Sequence, residues 1–207
     1  MPEKTNHTDP ALMTEEERKF RDAQYLQEVF ASGDQDEIAE IQAFYQLNNE
    51  QVALFQHNAQ LRERLHKDLA QDLARRKEEN LAPTEEELKM GTFIEGLEPQ
   101  VRDAVIKLRA KGYSTWESGF MGFEGIQRIS FNEPRLADYQ PPKDLVDNLS
   151  EMGIELIVEP NVVAFKCSRQ LRAEDLKSAW DLIAAAMPTF DDPTKPSKVR
   201  AAEDFRT

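Results

Sequence analysis

The chain has 207 residues and a formal net charge of -13, with 40% hydrophobic and 31% charged residues. This composition is sufficient for one modest hydrophobic core, and it is not that of a fully disordered chain. The negative charge would repel a polyanionic backbone, and the basic residues 75–77 are followed directly by Glu78 and Glu79. Nucleic-acid binding is therefore disfavoured.

The single cysteine, Cys167, excludes an internal disulfide and a cysteine-rich metal cluster. The start of the chain lacks the apolar run of a signal peptide, and no stretch approaches the ~18 consecutive apolar residues of a membrane helix. We therefore expect a cytoplasmic protein that has no membrane segment, no metal site and no cofactor.

Glycine usage divides the chain into two parts. Only Gly33 lies within the first ninety residues, whereas seven glycines lie between Gly91 and Gly153. Glycine is costly inside helices and common in turns, so the first part predicts long helices and the second part a compact, turn-rich domain. The resulting prediction is a disordered N-terminus over 1–13, a helical arm over 14–90, an α+β domain over 91–187 and a flexible tail over 188–207.

Two capping boxes mark helix starts in the arm. Thr14 with Glu17 predicts the start of the first helix, and Thr84 with Glu87 predicts a short helix near the end of the arm. Ser32-Gly33 is a helix-ending pair. The first helix can therefore fold back as an αα-hairpin.

A second, longer helix is predicted from Asp34 to about residue 80. Asp34 and Glu37 supply its start in the same way as the capping boxes. Asn48-Asn49 is the one plausible break within it. The alternatives are thus a hairpin of helices or one long helix.

Four leucines at helical spacing occupy the second half of this helix: Leu61, Leu65, Leu69 and Leu73. Helices are held mainly by burying an apolar face, and the first helix is too short to cover these leucines. Three partners remain open: the chain's own C-terminal domain, a second copy of the chain, or a foreign protein. The apolar rows do not keep strict heptads, which disfavours a long parallel coiled coil.

The second half of the chain contains one unit twice, in the order helix, glycine, strand, turn and strand. In the first unit, a helix that starts near Pro99 is followed by an extended stretch over 113–118. A glycine-rich loop over 119–125 and a strand over 126–131 complete this unit.

The second unit starts with a helix after Pro142. Its first strand covers 154–159 and alternates as a half-buried strand should, and its second strand returns with Val163, Phe165 and Cys167 on one side. A closing helix follows over 173–187. The order αββαββα predicts a two-layer α+β sandwich with a four-stranded, mainly antiparallel sheet.

The segment 113–125 is the most unusual in composition and is the candidate ligand or partner site. Large apolar side chains within a glycine-rich loop must either pack beneath the sheet or face a ligand, and loops on a rigid scaffold often carry function. Both interpretations stay open. The candidate residues are Thr115, Glu117, Ser118, Phe120, Met121 and Phe123.

Catalytic and metal chemistry find little support in the sequence. Nucleophilic catalysis needs a base beside the nucleophile, and His57 and His66 lie in the arm, so the arm would have to deliver one of them to the domain. Their spacing does not place them on one helical face as a zinc pair requires. We expect Glu117, Glu124 and Glu133 to be solvated surface carboxylates.

The favoured function is that of a non-enzymatic interaction or regulatory protein. Its arm would mediate self-association or contact a protein partner, and its domain would present a binding surface near 113–125. The alternative is a small enzyme whose pocket lies at the same segment. A nucleic-acid-associated protein is the third alternative, which the net charge disfavours.

Overall fold

The computed structural model describes residues 22–122 and 124–190. Its α-helices are α1 (Ala23–Ser32), α2 (Gln35–Tyr45), α3 (Asn49–Glu78), α4 (Glu85–Met90), α5 (Arg102–Ala110), α6 (Lys143–Glu151) and α7 (Ala173–Ala186), and a short 3₁₀ helix (Ile94–Gly96) precedes α5. The strands are β1 (Thr115–Met121), β2 (Ile126–Phe131), β3 (Ile154–Glu159) and β4 (Val162–Cys167). None of these described helices combines the length and the apolar character that crossing a bilayer requires.

The first described helix, α1, starts at Ala23. Asp22 is its N-cap, and the Asp22 carboxylate accepts hydrogen bonds from the backbone N–H groups of Gln24 and Tyr25. A helix running unbroken from Thr14 through residue 22 is therefore wrong, because the backbone of Asp22 is extended. Thr14 and its partner Glu17 lie outside the described residues. The helix ends at Ser32 and Gly33, as predicted.

The predicted break within the long helix is confirmed. Helix α2 ends at Tyr45, and α3 starts anew after Asn48, whose side chain forms a reciprocal capping box with Gln51. Asp34 caps α2 as expected. The arm is thus an assembly of α1, α2 and the 30-residue α3.

The second half is an α+β sandwich, as the sequence predicts. The strand order is β1-β2-β4-β3, and every neighbouring pair is antiparallel. The two αββ units thus meet at the central pair β2 and β4, with Ile129 opposite Val163. Helices α5, α6 and α7 pack against one face of the sheet, where the Phe165 ring lies 4.9 Å from the Trp180 ring.

The predicted alternation along the second hairpin is confirmed at its core-facing positions. Val163, Phe165 and Cys167 are all buried in β4, and Ile154 is buried opposite Cys167. Leu156 is only half-buried because β3 is an edge strand.

Helix α3 takes part in two separate hydrophobic cores. Ala59 is buried with α1 and α2 in the core of the arm, whereas Leu61 and Leu65 are buried in the core of the sandwich. The chain's own domain therefore covers these two leucines. Leu69 is half-buried, and Leu73 is 39% exposed.

Polar contacts along α3 tie it to the sandwich. The Ala53 carbonyl accepts a hydrogen bond from the Gln170 side chain at 3.3 Å, near the start of α7. At the other end of α3, Arg102 of α5 pairs with Asp72 at 3.2 Å. This course brings the middle of α3 against the turn between β1 and β2, where Asn58 lies beside Gly125.

Two boundaries differ from the sequence prediction. The extended stretch expected to end at residue 118 continues as β1 to Met121, so the loop expected over 119–125 is shorter. In addition, Phe190, which lies in the segment predicted as a flexible tail from residue 188, packs against the domain. The Phe190 ring lies 5.1 Å from the Tyr113 ring, and the Phe190 backbone N–H donates to the Lys111 carbonyl.

The docking of α3 onto the sandwich can be tested with two leucines of the same helix. We expect Leu65→Ala to lower the free energy of unfolding by about 2–5 kcal/mol, because it truncates a side chain buried in the domain core. Leu73→Ala should cost about 1 kcal/mol or less, because that side chain remains partly in solvent. Urea unfolding followed by circular dichroism measures both, and equal losses would contradict this placement of α3.

Candidate functional site

A groove with a volume of about 640 Å³ lies between the arm and the first hairpin of the sheet. We call it the arm–hairpin groove. Helices α1 and α3 form its walls, and Gly122 of the β1–β2 turn closes it on the domain side. Its lining residues are Ala23, Gln24, Gln27, Glu28, Ala31, Ser32, Arg62, Glu63, His66 and Gly122.

Two residues that line this groove each have a buried side-chain polar atom with no hydrogen-bond partner within the described part of the protein. One is Nε of Arg62, a donor, and the other is Oε1 of Gln27, an acceptor. The amide orientation of Gln27 is fixed, since its Nε2 donates to the Ala59 carbonyl at 2.9 Å. Buried polar groups are nearly always hydrogen-bonded, so these two atoms are exceptions beside the groove, and protein atoms cover both of them.

His66 reaches from the arm to the domain and joins the groove to a buried carboxylate. Its Nε2 lies 2.6 Å from Oε1 of Glu98, and the His66 side chain is 46% exposed whereas that of Glu98 is 10% exposed. An ionised carboxylate only accepts, so the Nε2–H of His66 donates to Glu98. The other ring nitrogen, Nδ1, then remains for hydrogen bonding in the groove.

The Glu98 carboxylate is held ionised by three donors. Burial acts to raise its pKa, but hydrogen bonds from His66, Gln100 and the Phe120 backbone N–H outweigh burial and keep the pKa of Glu98 below its ordinary value. Oε2 accepts from Gln100 Nε2 at 2.6 Å and from the Phe120 N–H at 3.0 Å. The carboxylate therefore links the arm, the loop before α5 and strand β1.

Gly119 makes this link possible. Its φ is +114°, and a Cβ at this position would lie 2.5 Å from Cδ of Glu98, which is closer than any real contact. Only glycine leaves room for the carboxylate to reach the Phe120 N–H. Gly119 within β1 thus allows the close approach of the Glu98 carboxylate and does not mark a loop.

Buried amides continue the polar contacts from Glu98 into the core. Gln100 donates to Gln127 Oε1 at 3.2 Å, and Trp180 Nε1 donates to the same oxygen at 3.4 Å. Gln127 and Trp180 are completely buried. A hydrogen-bonded path therefore runs from His66 at the groove to a tryptophan in the domain core.

The site residues predicted from the sequence have different environments in the structure. Phe120 is 6% exposed and belongs to the domain core, as the packing interpretation holds, while Met121 is half-buried and Phe123 lies outside the described residues. Glu117 accepts from Ser130 on β2 at 3.2 Å. None of the predicted residues that are described lines the groove.

The remaining predicted residues also lie in strand β1. Thr115 contacts Arg109 of α5 through a long hydrogen bond of 3.4 Å, and Ser118 is half-buried opposite Ile129. Of the described residues in the segment 113–125, Gly122 lines the groove.

The three glutamates considered around the first hairpin do not form one cluster. Glu117 lies within β1, Glu124 lies in the turn, and Glu133 follows the far end of β2. Among the described residues, no group of three or more histidine, cysteine or acidic side chains is arranged to hold a metal ion.

The sequence does not indicate the groove residues Arg62, His66 and Gln27, because only the tertiary structure brings them together with their partners. Arg62 and His66 are four residues apart and share a helical face beside Leu65, which local spacing does indicate. Their partners are distant, however: Glu98 is 32 residues away from His66. His57 likewise reaches the domain, where its Nε2 lies 2.7 Å from the Leu171 carbonyl.

A second groove of about 420 Å³ lies between α6 and the edge strand β3. Cys167 lines it, but burial raises the pKa of this thiol to about 12, so it stays protonated and unreactive. No side chain lining this groove has a buried polar atom without a partner, within the described residues. The arm–hairpin groove is therefore the stronger candidate site.

No protein-family model, no curated protein and no solved structure matched the chain when it was compared with them.

Two glycine substitutions test the role of Glu98. Gly119→Ala should lower the free energy of unfolding by about 3 kcal/mol or more, because backbone strain adds to the displacement of the Glu98 carboxylate. Gly122→Ala should cost only about 1–2 kcal/mol, since its φ of +73° imposes strain but no atom lies within 4 Å of its Cβ position. Nitrogen-15 NMR of the histidine rings should show the His66 signals shifted in Gly119→Ala alone. Unchanged His66 signals would contradict the close approach.

The lowered pKa of Glu98 predicts a pH-dependent contribution to stability. The pKa of Glu98 is lower in the folded protein than in the unfolded chain. The ionised carboxylate therefore stabilises the folded protein at pH values above about 4.3, the ordinary pKa of glutamate. This contribution is lost as the pH falls through the folded-state pKa. At pH 7, Glu98→Gln should lower the free energy of unfolding by about 1.5–3 kcal/mol, and the difference from the unsubstituted protein should shrink in acid.

Urea unfolding at pH 7 and at successively lower pH measures this difference. Glu155→Gln is the matched control, because Glu155 is exposed on β3. Its curve should follow that of the unsubstituted protein. A Glu98→Gln difference that stays constant down to pH 3 would show that the carboxylate is not ionised in the folded protein.

Proposed function

We propose that the protein is a non-enzymatic regulatory protein that binds a small ligand in the arm–hairpin groove. The observation that carries the proposal is the set of polar side chains that line the groove, one of which is tied to a buried carboxylate of the domain. Gln27 and Arg62 come from the arm, and His66 is held by Glu98 of the domain. A cleft with a few convergent polar groups and a carboxylate of shifted pKa is typical of a ligand site.

A binding role fits the groove better than covalent catalysis. Among its described lining residues the one hydroxyl belongs to Ser32. This hydroxyl donates to the Val29 carbonyl at 3.0 Å and accepts from the Asp34 N–H at 3.3 Å. It therefore completes the turn between α1 and α2 and is not placed beside a base.

Ligand binding at His66 would act on the domain through Glu98. A ligand that hydrogen-bonds His66 changes how strongly the imidazole donates to the carboxylate, and the same carboxylate holds the Phe120 N–H of β1. The signal would thus pass from the groove to the first hairpin. We therefore propose an output surface near 113–125, where Trp116 is 60% exposed.

A small enzyme is the second candidate, and the His66–Glu98 pair is the observation that favours it. A carboxylate that orients an imidazole leaves Nδ1 able to take a proton from water or from a substrate in the groove. Contact of the arm with a protein partner, or its self-association, also remains a proposal. So does a cytoplasmic location, which a lone buried cysteine suits.

The ligand-binding proposal is tested by thermal unfolding with a panel of small molecules. The panel contains amino acids, dicarboxylates, amines, nucleosides and sugars. One class should raise the Tm of the full chain, since a ligand at 100 times its Kd stabilises the folded state by about 2.7 kcal/mol. Arg62→Met, which keeps the side-chain stem and removes the guanidinium, should abolish this rise.

Lys67→Met is the matched control, because Lys67 is exposed on the same helix and does not line the groove. Its Tm should rise as in the unsubstituted protein. Proton NMR of the stabilising compound after prolonged incubation should show it unaltered. Conversion that is lost in His66→Asn would support the enzyme instead, and no rise in Tm with any class would overturn ligand binding.

A further inference from the structure

The two edge strands of the sheet differ in how their outer edges are covered. On β1, the Phe120 backbone N–H donates to Glu98, and the Thr115 carbonyl accepts a long hydrogen bond of 3.4 Å from Arg109. On β3, no hydrogen bond formed within the described residues reaches the outer edge. An unpaired edge is a template for pairing with another strand, and proteins usually cover it.

The backbone groups that β3 leaves unpaired follow from its hairpin with β4. A two-residue turn joins the strands, so the residues that flank the turn, Glu159 and Val162, form a hydrogen-bonded pair. Paired and unpaired positions alternate along the strand, so the N–H and C=O groups of Leu156 and Val158 point away from β4. The same alternation, carried across the sheet, agrees with the outward N–H of Phe120.

The two faces of this edge offer different surfaces to an added strand. On the helix side, Leu156 and Val146 of α6 line the groove of about 420 Å³, and Val146 is 43% exposed. On the opposite side, Glu155 lies across from Lys166, whereas the exposed Glu159 has no basic residue opposite it. A strand that fits this edge therefore has small apolar residues at alternate positions and a basic residue opposite Glu159.

The chain leaves the described structure at the end of the sheet where β3 ends. Phe190 is the last described residue, and the guanidinium carbon of Arg135 lies 4.9 Å from the centroid of its ring. The next residue, Leu136, donates its N–H to the carbonyl of Pro160, which directly follows β3. Phe190 and the end of β3 are thus both in contact with one dipeptide.

The chain beyond Phe190 is long enough to reach the outer edge of β3. Phe190 contacts Tyr113, which precedes β1, so the width of the sheet sets the distance to that edge. Neighbouring strands are about 4.8 Å apart, which places a strand added beyond β3 about 19 Å from β1. The chain from Phe190 to Ser197 can extend over about 23 Å.

The segment 197–202 has the composition that this edge requires. Its residues are Ser197, Lys198, Val199, Arg200, Ala201 and Ala202. It has the same length as β3, which has six residues. Proline cannot donate to a sheet ladder, so pairing begins after Pro196. Small apolar residues and basic residues then alternate, as an added strand beside β3 requires.

We propose that residues 197–202 add to β3 as a fifth, antiparallel strand of the sheet. The chain arrives at the Glu159 end of β3 and therefore runs antiparallel to it. Lys198 lies opposite Glu159, and Val199 and Ala201 face the helix side. Exposed ion pairs are weak, so the backbone hydrogen bonds hold this strand and the charges set its register. The added strand keeps the edge from pairing with other chains. This inference does not depend on the ligand-binding function.

Amide hydrogen exchange in the full chain, followed residue by residue by NMR, tests the added strand. The N–H groups of Leu156 and Val158 should exchange at least tenfold more slowly than in Ala201→Pro, which removes an N–H that bonds to β3. Ala202→Pro is the matched control, because in the proposed strand the N–H of Ala202 points away from β3. The Ile157 N–H points to β4 and should be unchanged in both variants.

A charge exchange tests the register of the added strand. Lys198→Glu places a carboxylate opposite Glu159 and should speed exchange of the Val158 N–H several-fold at low salt. Glu159→Lys in the same chain should restore the slow exchange, because the two charges are then opposite again. Lys195→Glu makes the same change in net charge before Pro196, and it should leave the exchange rate unaltered.

Three results would overturn the proposal. The first is fast exchange of Leu156 and Val158 in the unsubstituted chain, equal to that in Ala201→Pro. The second is slow exchange that persists in Ala201→Pro, because another group would then cover the edge. The third is slow exchange that appears only as the protein concentration is raised, which would show that a second copy supplies the strand.

Discussion

The ionised carboxylate of Glu98 is the group on which the arrangement of arm, hairpin and sandwich depends. It accepts from His66 on α3, from Gln100 and from the Phe120 backbone N–H, so one buried charge fixes the distances between three parts of the chain. Removing a carboxylate from water costs several kcal/mol unless hydrogen bonds replace the lost solvation. Each donor is therefore needed, and the close approach also requires a glycine at position 119.

The position of the groove follows from the two cores that share α3. Ala59 faces the arm core, and Leu61 and Leu65 face the sandwich core. With residues placed every 100° around a helix, Arg62 and His66 fall between these two faces. The arm helix α1 and the β1–β2 turn flank this strip without closing over it. A groove that these two polar side chains line is thus the geometric consequence of one helix that contributes to two apolar cores.

Local features of the fold could be predicted from the sequence, whereas the site could not. The capping residues Asn48 and Thr84 act within one helical turn, and the alternation in β4 acts within one strand, so both are visible in short windows. Gly119 shows where local reasoning fails. A glycine run predicted a loop, but the glycine lies inside β1 because a carboxylate from a distant segment approaches it. The His66–Glu98 pair has the same origin, since only the docking of α3 brings these residues together.

The buried amides beyond Glu98 are costly if stability is their only role. Gln100 Oε1 and Gln127 Nε2 are buried without a partner in the described structure, and such atoms cost about 1–3 kcal/mol each. Leucines at these positions would pack without that cost. What the amides add is a row of coupled hydrogen bonds, in which a change at one member alters the next. Under the proposed function, a ligand that engages His66 shifts the balance among the donors to Glu98, and Gln100 and Gln127 carry that shift to Trp180 without any helix moving.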